Sequence, residues 1–509
     1  MTARDASYEE FATLYGEGKP QVVHARLVAD LETPVSAFLK LRELSPCAFL
    51  LESVEGGAVR GRYSLIGLKP DIVWKVEGER AFINRRALAD ISGPFEEQEQ
   101  PPLDALRALL AESRMELPGD LPPMAAGLFG YMGYDTVRLV ERLPDVNPDS
   151  TGVPDALMVR PTVMVIFDAV RDEMTIITPV HPRPGVDAET AHRQALARLD
   201  DVVARLSQPI PPDELAAGES QVDIAPPVSN TPPERYMEMV EKAREYIRAG
   251  DIFQVVLSQR FSTDFPLPPF ALYRALRRVN PSPYLYYLDF ADFQLIGSSP
   301  EILVRARDGK VTIRPIAGTR RRGRTHAEDV ALERELLADP KELAEHLMLL
   351  DLGRNDVGRV AKIGSVEVTE RFIIERYSQV MHIVSNVEGE LDEERHDAID
   401  ALMAGFPAGT VSGAPKVRAM EIIDELELEK RGPYAGCVGY FSADGGMDSC
   451  IILRTALIKD GRMHVQAGAG IVADSVPELE QKECENKARA LFVAAEEAAR
   501  FTGGGRKGQ

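Results

Sequence analysis

The chain has 509 residues, of which 44% are apolar and 27% charged, an ordinary balance for a protein of two or more domains. Its formal net charge of −21 argues against non-specific binding of nucleic acid, because an acidic surface repels a polyanion. No apolar run approaches the length of a membrane span, and the N-terminal residues resemble no signal peptide, so we expect a cytoplasmic protein that binds neither nucleic acid nor membrane.

Four cysteines are scattered along the chain, and no two of them form a Cys-x-x-Cys pair. Their number is too small for a disulfide framework and suits a reducing cytosol, and their spacing predicts no zinc site. They are Cys47, Cys437, Cys450 and Cys484.

The first part of the chain alternates between short apolar runs and turns, a pattern typical of β-strands. Residues 161–180 indicate a hairpin, and residues 188–206 indicate an amphipathic helix with Asp187 as its N-cap. Residues 208–232 are rich in proline and show no period, so we interpret them as a linker. Other strands are predicted at residues 47–53, 62–67, 71–78, 80–86 and 127–135.

The second part begins with a predicted helix in which Thr231 is the N-cap, Glu234 completes a capping box, and Gly250 ends the helix. Residues 252–261 alternate as a strand, with Phe253 on one face and Gln254 on the other. Because hairpins join most strands, the pattern predicts antiparallel sheets with helices grouped outside them. Hairpins are predicted at residues 283–297 and 301–316, and three strands between residues 436 and 468.

A helix with two glutamates three residues apart is predicted from Pro340, with Asp339 as its N-cap. Glu342 completes a capping box and shares one helical face with Glu345. The alternative role for Glu342 is capping only, and the pattern by itself does not decide between the two. The predicted buried stripe consists of Leu343, Leu347 and Leu350.

Residues 466–490 combine a glycine-rich turn with a second acidic helix. Ser475 is the predicted N-cap, and Glu480, Glu483 and Lys487 share one face. Backbone amides of the turn suit an anion, and carboxylates on two such helices suit a hard cation such as Mg²⁺. The alternative is a solvated face, on which Glu483 and Lys487 form an ordinary i,i+4 ion pair.

Four motifs resemble signatures of the chorismate-utilising enzymes, and most closely those of anthranilate synthase large subunits. The resemblance is strong over residues 232–497 and looser before them. It implies an α/β fold of the α+β type, in which two antiparallel sheets pack as a sandwich with helices outside. The motifs are PIAGTRRRG (315–323), ELAEHLMLLDLGRND (342–356), AGTVSGAPKVRAMEII (408–423) and QAGAGIVADSVPE (466–478).

The resemblance also sets expectations for the organisation of the chain. Residues 1–207 would carry tryptophan-binding elements and contribute strands to the common fold. Residues 208–232 would form the linker, residues 233–500 the chorismate-binding catalytic region, and residues 501–509 a disordered tail.

By resemblance, Glu345 and Glu483 bind Mg²⁺ directly, and Glu342 and Glu480 support it through water. The cation screens the negative charge that would otherwise repel a dicarboxylate substrate. The residues expected to contact chorismate are Gly318, Thr319, Tyr434, Arg454, Gly468, Ala469, Gly470 and Lys487. Without the resemblance, Gly318–Thr319 would be a plain turn, and Arg454 in CIILRTALI would form a salt bridge on a strand face.

The catalytic residues are also assigned by resemblance. His382 lies on a predicted strand, where a lone histidine is usually a buried core residue; the matching motif instead implies proton handling or positioning of the ring. Thr410 matches another site residue. Glu342 is our candidate for the general acid that protonates the departing hydroxyl, because neighbouring carboxylates would raise its pKa.

Two positions separate branches of the family. Isochorismate-forming relatives carry a lysine where this chain has Gln254, and aminodeoxychorismate synthases carry a nucleophilic lysine where it has Ala317. Gln254 is no base for activating water, which fits ammonia as the nucleophile. The implied reaction converts chorismate and ammonia to anthranilate and pyruvate. The alternatives are an aminodeoxychorismate synthase and a non-catalytic regulator that binds tryptophan or chorismate.

The resemblance further implies feedback inhibition by L-tryptophan. Residues 50–53 and 280–287 match effector-binding elements, although LLES also suits a plain core strand. The expected effector residues are Glu52, Ser53, Pro283, Tyr284, Leu285 and Cys450, and Leu285 replaces a methionine that many relatives carry.

A partner subunit is expected as well, because none of the four cysteines has the tight-turn context of a glutaminase nucleophile. A glutamine amidotransferase would supply the ammonia, in a heterotetramer of two large and two small subunits.

Overall fold

The computed structural model describes residues 3–5, 8–53, 61–212, 224–377 and 380–502. Helices and strands follow one another along all of these segments. The α-helices are α1 (Tyr8–Gly16), α2 (Pro34–Leu41), α3 (Pro102–Glu112), α4 (Ala188–Leu206), α5 (Pro233–Ala249), α6 (Pro269–Val279), α7 (His326–Ala338), α8 (Pro340–Gly358), α9 (Ala398–Gly405), α10 (Lys416–Leu426) and α11 (Pro477–Ala498).

The strands of the first half are β1 (Ala3–Asp5), β2 (Gln21–Val28), β3 (Ala48–Glu52), β4 (Tyr63–Glu77), β5 (Arg80–Asn84), β6 (Glu96–Glu97), β7 (Gly127–Met132), β8 (Ala156–Asp168), β9 (Glu173–Val180) and β10 (Val228–Ser229). Those of the second half are β11 (Gln254–Asp264), β12 (Tyr284–Asp289), β13 (Phe293–Ser299), β14 (Ile302–Arg307), β15 (Lys310–Ile313), β16 (Ile316–Arg321), β17 (Glu367–Arg376), β18 (Val380–Glu390), β19 (Gly413–Ala414), β20 (Cys437–Ser442), β21 (Met447–Ile451), β22 (Thr455–Lys459) and β23 (Arg462–Ile471).

The predicted α+β class with antiparallel strands is confirmed. In the described segments every strand pair is antiparallel, and the pairs connect into one continuous hydrogen-bonded network. Two apolar clusters lie against it: on β4, Val73 belongs to one cluster and its neighbour Trp74 to the other. Since successive side chains of a strand point to opposite faces, both faces of this strand are buried.

Strands from the two halves of the chain pair directly. Strand β3 pairs with β12, so that Glu52 lies opposite Leu285, and β7 pairs with β20. These hydrogen bonds bring the predicted tryptophan-binding elements of both halves together. The domain boundaries stay a prediction, and residues 213–223 of the linker and 503–509 of the tail lie outside the described residues.

Helix termini agree with the sequence where a side chain caps the helix locally. Asp187 accepts a hydrogen bond from Thr190 N at the start of α4, and Asp339 accepts from Lys341 N at the start of α8, as predicted. Gly250 ends α5 with φ of 85°, a left-handed conformation that glycine adopts without steric cost.

Two other predicted caps are wrong. Helix α5 starts after Pro232 with no side-chain cap, because the Thr231 hydroxyl bonds to Asn230 instead. Helix α11 starts after Val476, because the Ser475 hydroxyl turns back to accept from Val472 N.

Burial on α8 also differs from the prediction. Leu350 is buried as expected, but Leu347 is 42% exposed, and the buried face includes His346 and Leu349. The buried stripe is therefore rotated relative to the predicted one.

The strand predictions err mainly in length and number. Residues 62–67 and 71–78 belong to the single long strand β4, and residues 436–468 form parts of four strands, where three were predicted. Phe253 precedes β11 and is 69% exposed, so the strand predicted from residue 252 begins only at Gln254. The Asp308–Gly309 hairpin is as predicted, with φ of 53° and 71° at its two turn residues.

None of the helices in the described part of the chain is long and apolar enough to cross a membrane.

Candidate active site

The centre of the site is the pairing of β16 with β18, which places Thr319 opposite His382. His382 is buried, and its Nδ1 lies 3.0 Å from the Thr319 hydroxyl and 3.1 Å from the carbonyl oxygen of Gly318. Because a carbonyl only accepts, Nδ1 carries the proton that it donates, and Nε2 is left as an acceptor. The register shift between Ala317 and Thr319, with φ of 75° at Gly318, allows this contact.

The electrostatic surroundings keep His382 neutral. Burial lowers the pKa of His382 to about 4, and the charge of Arg454 lowers it further. Arg454 was predicted within a strand, but it lies between β21 and β22 with φ of 48°. The left-handed conformation marks a local strain at this position, a feature that often accompanies functional residues.

A buried carboxyl group that sequence reasoning missed lies close to Arg454. Glu301 is only 7% exposed and accepts a hydrogen bond of 3.0 Å from the Thr410 hydroxyl. Burial raises its pKa to about 8, although Thr410 and the charge of Arg454 both oppose the rise. Glu301 is therefore mostly protonated at neutral pH. An acid at the start of the apolar strand ILVRAR was the only signal for it in the sequence.

The two acidic helices face one another. Burial raises the pKa of Glu345 on α8, and the charges of Glu342 on α8 and Glu483 on α11 add to the rise. Burial also raises the pKa of Glu480, and the charge of Glu483 raises it further. Mutual repulsion across the gap shows that the predicted carboxylates share one region of the structure.

Cations and amides hold these carboxylates in place. Lys487 Nζ lies 2.7 Å from Glu483 Oε1 and donates to the carbonyl oxygen of Gly468 at 2.9 Å. Gln254 Nε2 donates to Glu345 Oε1 at 3.2 Å. The side chain of Glu342 accepts from Arg320 at 2.8 Å, and so the predicted capping box at this helix does not form.

The carboxylates are suitable ligands for Mg²⁺, but the described residues do not form a complete coordination site. Among the described residues, no group of three or more His, Cys, Asp or Glu is close enough to hold a metal ion. The donors nevertheless fit, because the set consists of carboxylate oxygens and because Gln254 Oε1, beside Glu345, is buried without a hydrogen-bond partner.

The glycines predicted in a turn lie within strand β23. Gly468 pairs with Ser258 and Gly470 with Val256 of β11. A Cβ atom at Gly468 would lie 2.9 Å from the hydroxyl of the buried Tyr434. Close packing explains the glycines at these positions, and the prediction of a turn here is wrong. The predicted contact of these residues with chorismate stays a prediction. Ala469, between them, is buried in the same strand.

A separate cavity of about 970 Å³ brings together all six predicted effector residues. Glu52, in its wall, already accepts hydrogen bonds from Tyr273 and Arg277. Asp448 Oδ1 and Arg314 Nε also belong to wall residues and are buried without hydrogen-bond partners, so polar atoms remain for a ligand. The predicted wall residues are Glu52, Ser53, Pro283, Tyr284, Leu285 and Cys450.

This cavity borders the candidate active site around His382. Tyr377 lines the cavity, and its ring centroid lies 5.4 Å from that of His382. Glu375, another wall residue, lies opposite His382 in the pairing of β17 with β18. The two sites are thus distinct but share β18.

Known proteins match this chain over most of its length. Residues 51–493 match the family described as chorismate binding enzyme. The chain is 59% identical to anthranilate synthase component 1 of Cereibacter sphaeroides, over 97% of this chain and 98% of that protein. It is 50% identical to the protein of that name from Pseudomonas putida, over 96% of this chain and 97% of that one.

Solved structures support the same assignment. Anthranilate synthase component I of Streptococcus pneumoniae superposes with a TM-score of 0.73 at 39% identity, covering 86% of this chain and 94% of that one. The menaquinone-specific isochorismate synthase of Escherichia coli shares the fold, with a TM-score of 0.69 at 19% identity over 96% and 98% of the two chains. The chain therefore belongs to the chorismate binding enzyme family and, within it, to the group whose members are named anthranilate synthase component 1.

Proposed function

We propose that this protein is the synthase subunit of an anthranilate synthase, which converts chorismate and ammonia to anthranilate, pyruvate and water. The observation that carries the proposal is a pair of groups with opposite proton roles, Glu301 and His382, whose pKa values are both lowered by the charge of Arg454. Glu301 holds a proton at neutral pH, whereas His382 offers a free acceptor nitrogen. One acid and one base are what the two halves of the reaction require.

In the first half, ammonia adds to the ring carbon next to the one that bears the carboxylate, and the 4-hydroxyl leaves as water. Glu301 is the better general acid for this step, and we now prefer it to Glu342. The Glu342 carboxylate is engaged in an ion pair with the Arg320 guanidinium at 2.8 Å, whereas burial raises the pKa of Glu301 to about 8. Thr410 holds the Glu301 carboxyl group in place.

In the second half, the ring loses a proton from the aminated carbon, and the bond between the neighbouring ring carbon and the ether oxygen breaks. The released enolpyruvate takes up one proton on its methylene carbon and becomes pyruvate. His382 is placed to accept this proton at Nε2, since Nδ1 is committed to Gly318. Its low pKa keeps the imidazole neutral and available as a base at pH 7. Loss of the proton and of pyruvate makes the ring aromatic.

The substrate carboxylates need positive partners in a chain of net charge −21. Arg454 and Lys487 are the proposed partners, together with Thr319 and Tyr434 near the ring. Mg²⁺ would be held by Glu345 and Glu483, with Glu342 and Glu480 through water, and when bound it would supply charge screening for a substrate carboxylate. Glu342 already forms an ion pair with Arg320, and Glu483 forms one with Lys487. These ion pairs support the proposal because they show that the carboxylates attract positive charge.

Ammonia would come from a glutamine amidotransferase subunit in a heterotetramer. All four cysteines are buried, and burial raises the pKa of each thiol, so none is poised as the nucleophile that glutamine hydrolysis requires. The relatives' name, component 1, also supports a second component. A cytoplasmic location remains our expectation.

L-Tryptophan is the proposed inhibitor, bound in the cavity of about 970 Å³. A pocket of this size accommodates a small amphipathic ligand between apolar walls and a few polar groups. Binding there can reach the catalytic centre through β18, provided that tryptophan favours one conformation.

The proposal is tested by incubating the purified chain with chorismate, an ammonium salt and Mg²⁺ and following anthranilate by its fluorescence. Anthranilate formation that requires all three supports the proposal. Consumption of chorismate without anthranilate, or no reaction, contradicts it.

A further inference from the structure

Arg320 connects the strand that carries the chorismate contacts to the helix that carries the metal carboxylates. Its guanidinium donates to Glu342 Oε1 at 2.8 Å and to Asp339 Oδ2 at 2.8 Å, both at the start of α8. It also donates to Glu335 of α7 at 2.9 Å and to the carbonyl oxygen of Thr319 at 3.0 Å. One side chain thus joins β16, α7 and α8.

The two α8 contacts fix different features of the helix. Asp339 is also the N-cap, and its other oxygen accepts from Lys341 N at 3.0 Å. Glu342 directs its other oxygen towards Gly318, where a Cβ atom would lie only 3.1 Å from Glu342 Oε2. The orientation of the first turn of α8, and of the Glu342 carboxylate itself, therefore depends on Arg320.

The neighbouring arginines make different contacts. Arg321 pairs with Glu328 of α7 at 2.6 Å, and Arg322 pairs with Asp329 of α7 at 2.9 Å. Within the described part of the chain, neither arginine forms an ion pair with α8. Arg321 is 60% exposed by side chain, whereas Arg320 is 20% exposed, so a contribution from Arg320 is less screened by solvent.

We propose that Arg320 is a positioning residue for the metal site: it holds Glu342 and the first turn of α8 against β16, so that Glu345 is presented towards Glu483. This inference rests on the proposed function and concerns a residue outside the proposed chorismate and Mg²⁺ contacts. Groups that orient metal-bound carboxylates commonly change metal affinity by roughly 10- to 100-fold when they are removed.

The test is Mg²⁺ binding to the substrate-free protein by isothermal titration calorimetry. We expect Arg320→Gln to raise the Kd for Mg²⁺ by about 10- to 100-fold. Arg320→Lys, which keeps the charge but not the planar fork, should have an intermediate Kd. Arg321→Gln is the matched control and should bind like the parent protein. Unchanged Mg²⁺ binding by Arg320→Gln would overturn the inference.

Two further measurements distinguish positioning from general destabilisation. Raising the Mg²⁺ concentration should restore kcat in Arg320→Gln, and a kcat that stays low at saturating Mg²⁺ would contradict the positioning role. If Arg320→Gln does not fold, Mg²⁺ binding by Asp339→Asn tests the inference instead. Asparagine still caps α8 but cannot form the ion pair with Arg320. We expect it to weaken Mg²⁺ binding, and unchanged binding would overturn the inference.

The parent protein separates failure of this inference from failure of the proposed function. Mg²⁺ binding by the parent with unchanged binding by Arg320→Gln contradicts the inference alone. No Mg²⁺ binding by the parent contradicts the metal assignment and the inference with it.

Discussion

Thr410 donates a hydrogen bond of 3.0 Å to the carboxyl group of Glu301, a residue 109 positions away in the sequence and buried beside Arg454. The hydrogen bond fixes the orientation of the Glu301 carboxyl group, because Thr410 donates to Oε1 and leaves Oε2 without this contact. Burial, and not this contact, raises the pKa of Glu301 to about 8. The site therefore holds an acid with a proton to give near neutral pH, which is the property that the loss of a hydroxyl group requires.

We predict that Glu301→Gln lowers kcat by roughly 10²- to 10⁴-fold, the usual contribution of a general acid. The exposed Glu393→Gln should leave kcat unchanged. Because the protonated form is the active one and its pKa is about 8, the parent's rate should fall as the pH rises through about 8. Steady-state rates from pH 6 to 10 check this. A parent-like rate in Glu301→Gln would remove Glu301 from the mechanism.

The same residue should affect stability. Its pKa rises from 4.5 in the unfolded chain to about 8 in the folded protein, so the folded state binds more protons between these values. Its contribution therefore makes the free energy of unfolding fall as the pH rises from about 4.5 to 8. Glu301→Gln lacks the titrating group and should show a smaller fall. Urea unfolding at pH 6 and pH 8 gives the free energy of unfolding of each protein at both pH values. An equal change in this free energy between the two pH values in both proteins would argue against a raised pKa of Glu301.

Glu345→Gln and Glu483→Gln should each reduce activity by roughly 10²-fold or more, because each removes a proposed metal ligand and its charge. Glu478→Gln is the control variant and should retain activity, because Glu478 is exposed on α11 and is not a proposed metal ligand. The measurement is anthranilate formation over a range of Mg²⁺ concentrations. Full activity of the parent protein in excess chelator would rule out the metal.

Ser53→Phe should retain near-normal activity but lose most of its inhibition by tryptophan. The larger side chain would occupy part of the cavity, whose wall does not include the proposed metal ligands Glu345 and Glu483. A coupling of about 1–3 kcal/mol corresponds to a change of roughly 5- to 150-fold in chorismate affinity, which sets the scale of the lost effect. Anthranilate production against tryptophan concentration provides the comparison. Ser92→Phe, at an exposed serine outside the cavity wall, is the control and should remain as sensitive as the parent.

The purified chain should use ammonium but not glutamine. Its cysteines are buried and their thiol pKa values are raised, so a thiolate for attack on the glutamine amide is missing. Rates with ammonium chloride and with glutamine, each with chorismate and Mg²⁺, provide the test. Anthranilate formation from glutamine by the chain alone would contradict the requirement for a partner.

Local features of the fold were predictable because neighbouring residues decide them. The Asp187 and Asp339 caps and the Asp308–Gly309 turn depend on side chains and φ values within a few positions. The cap at Ser475 failed because two local hydrogen bonds compete for one hydroxyl, and the bond with Val472 N forms instead.

The remainder depends on contacts between distant residues. Gly468 and Gly470 belong to a strand because they pair with β11, whose residues lie more than 200 positions earlier in the sequence. The glycine content of this stretch, taken alone, wrongly predicts a turn. Glu301 escaped notice because its pKa follows from burial and from Thr410 and Arg454. The resemblance to a family supplied the candidate residues, whereas only the structure shows which partner each of them has.

The most direct test of the central claim is the product balance of the purified chain supplied with chorismate, ammonium and Mg²⁺. The account predicts one anthranilate and one pyruvate for each chorismate consumed, and loss of both products in Glu301→Gln. Consumption of chorismate to an aminated product without pyruvate would instead indicate an aminodeoxychorismate synthase and contradict the account.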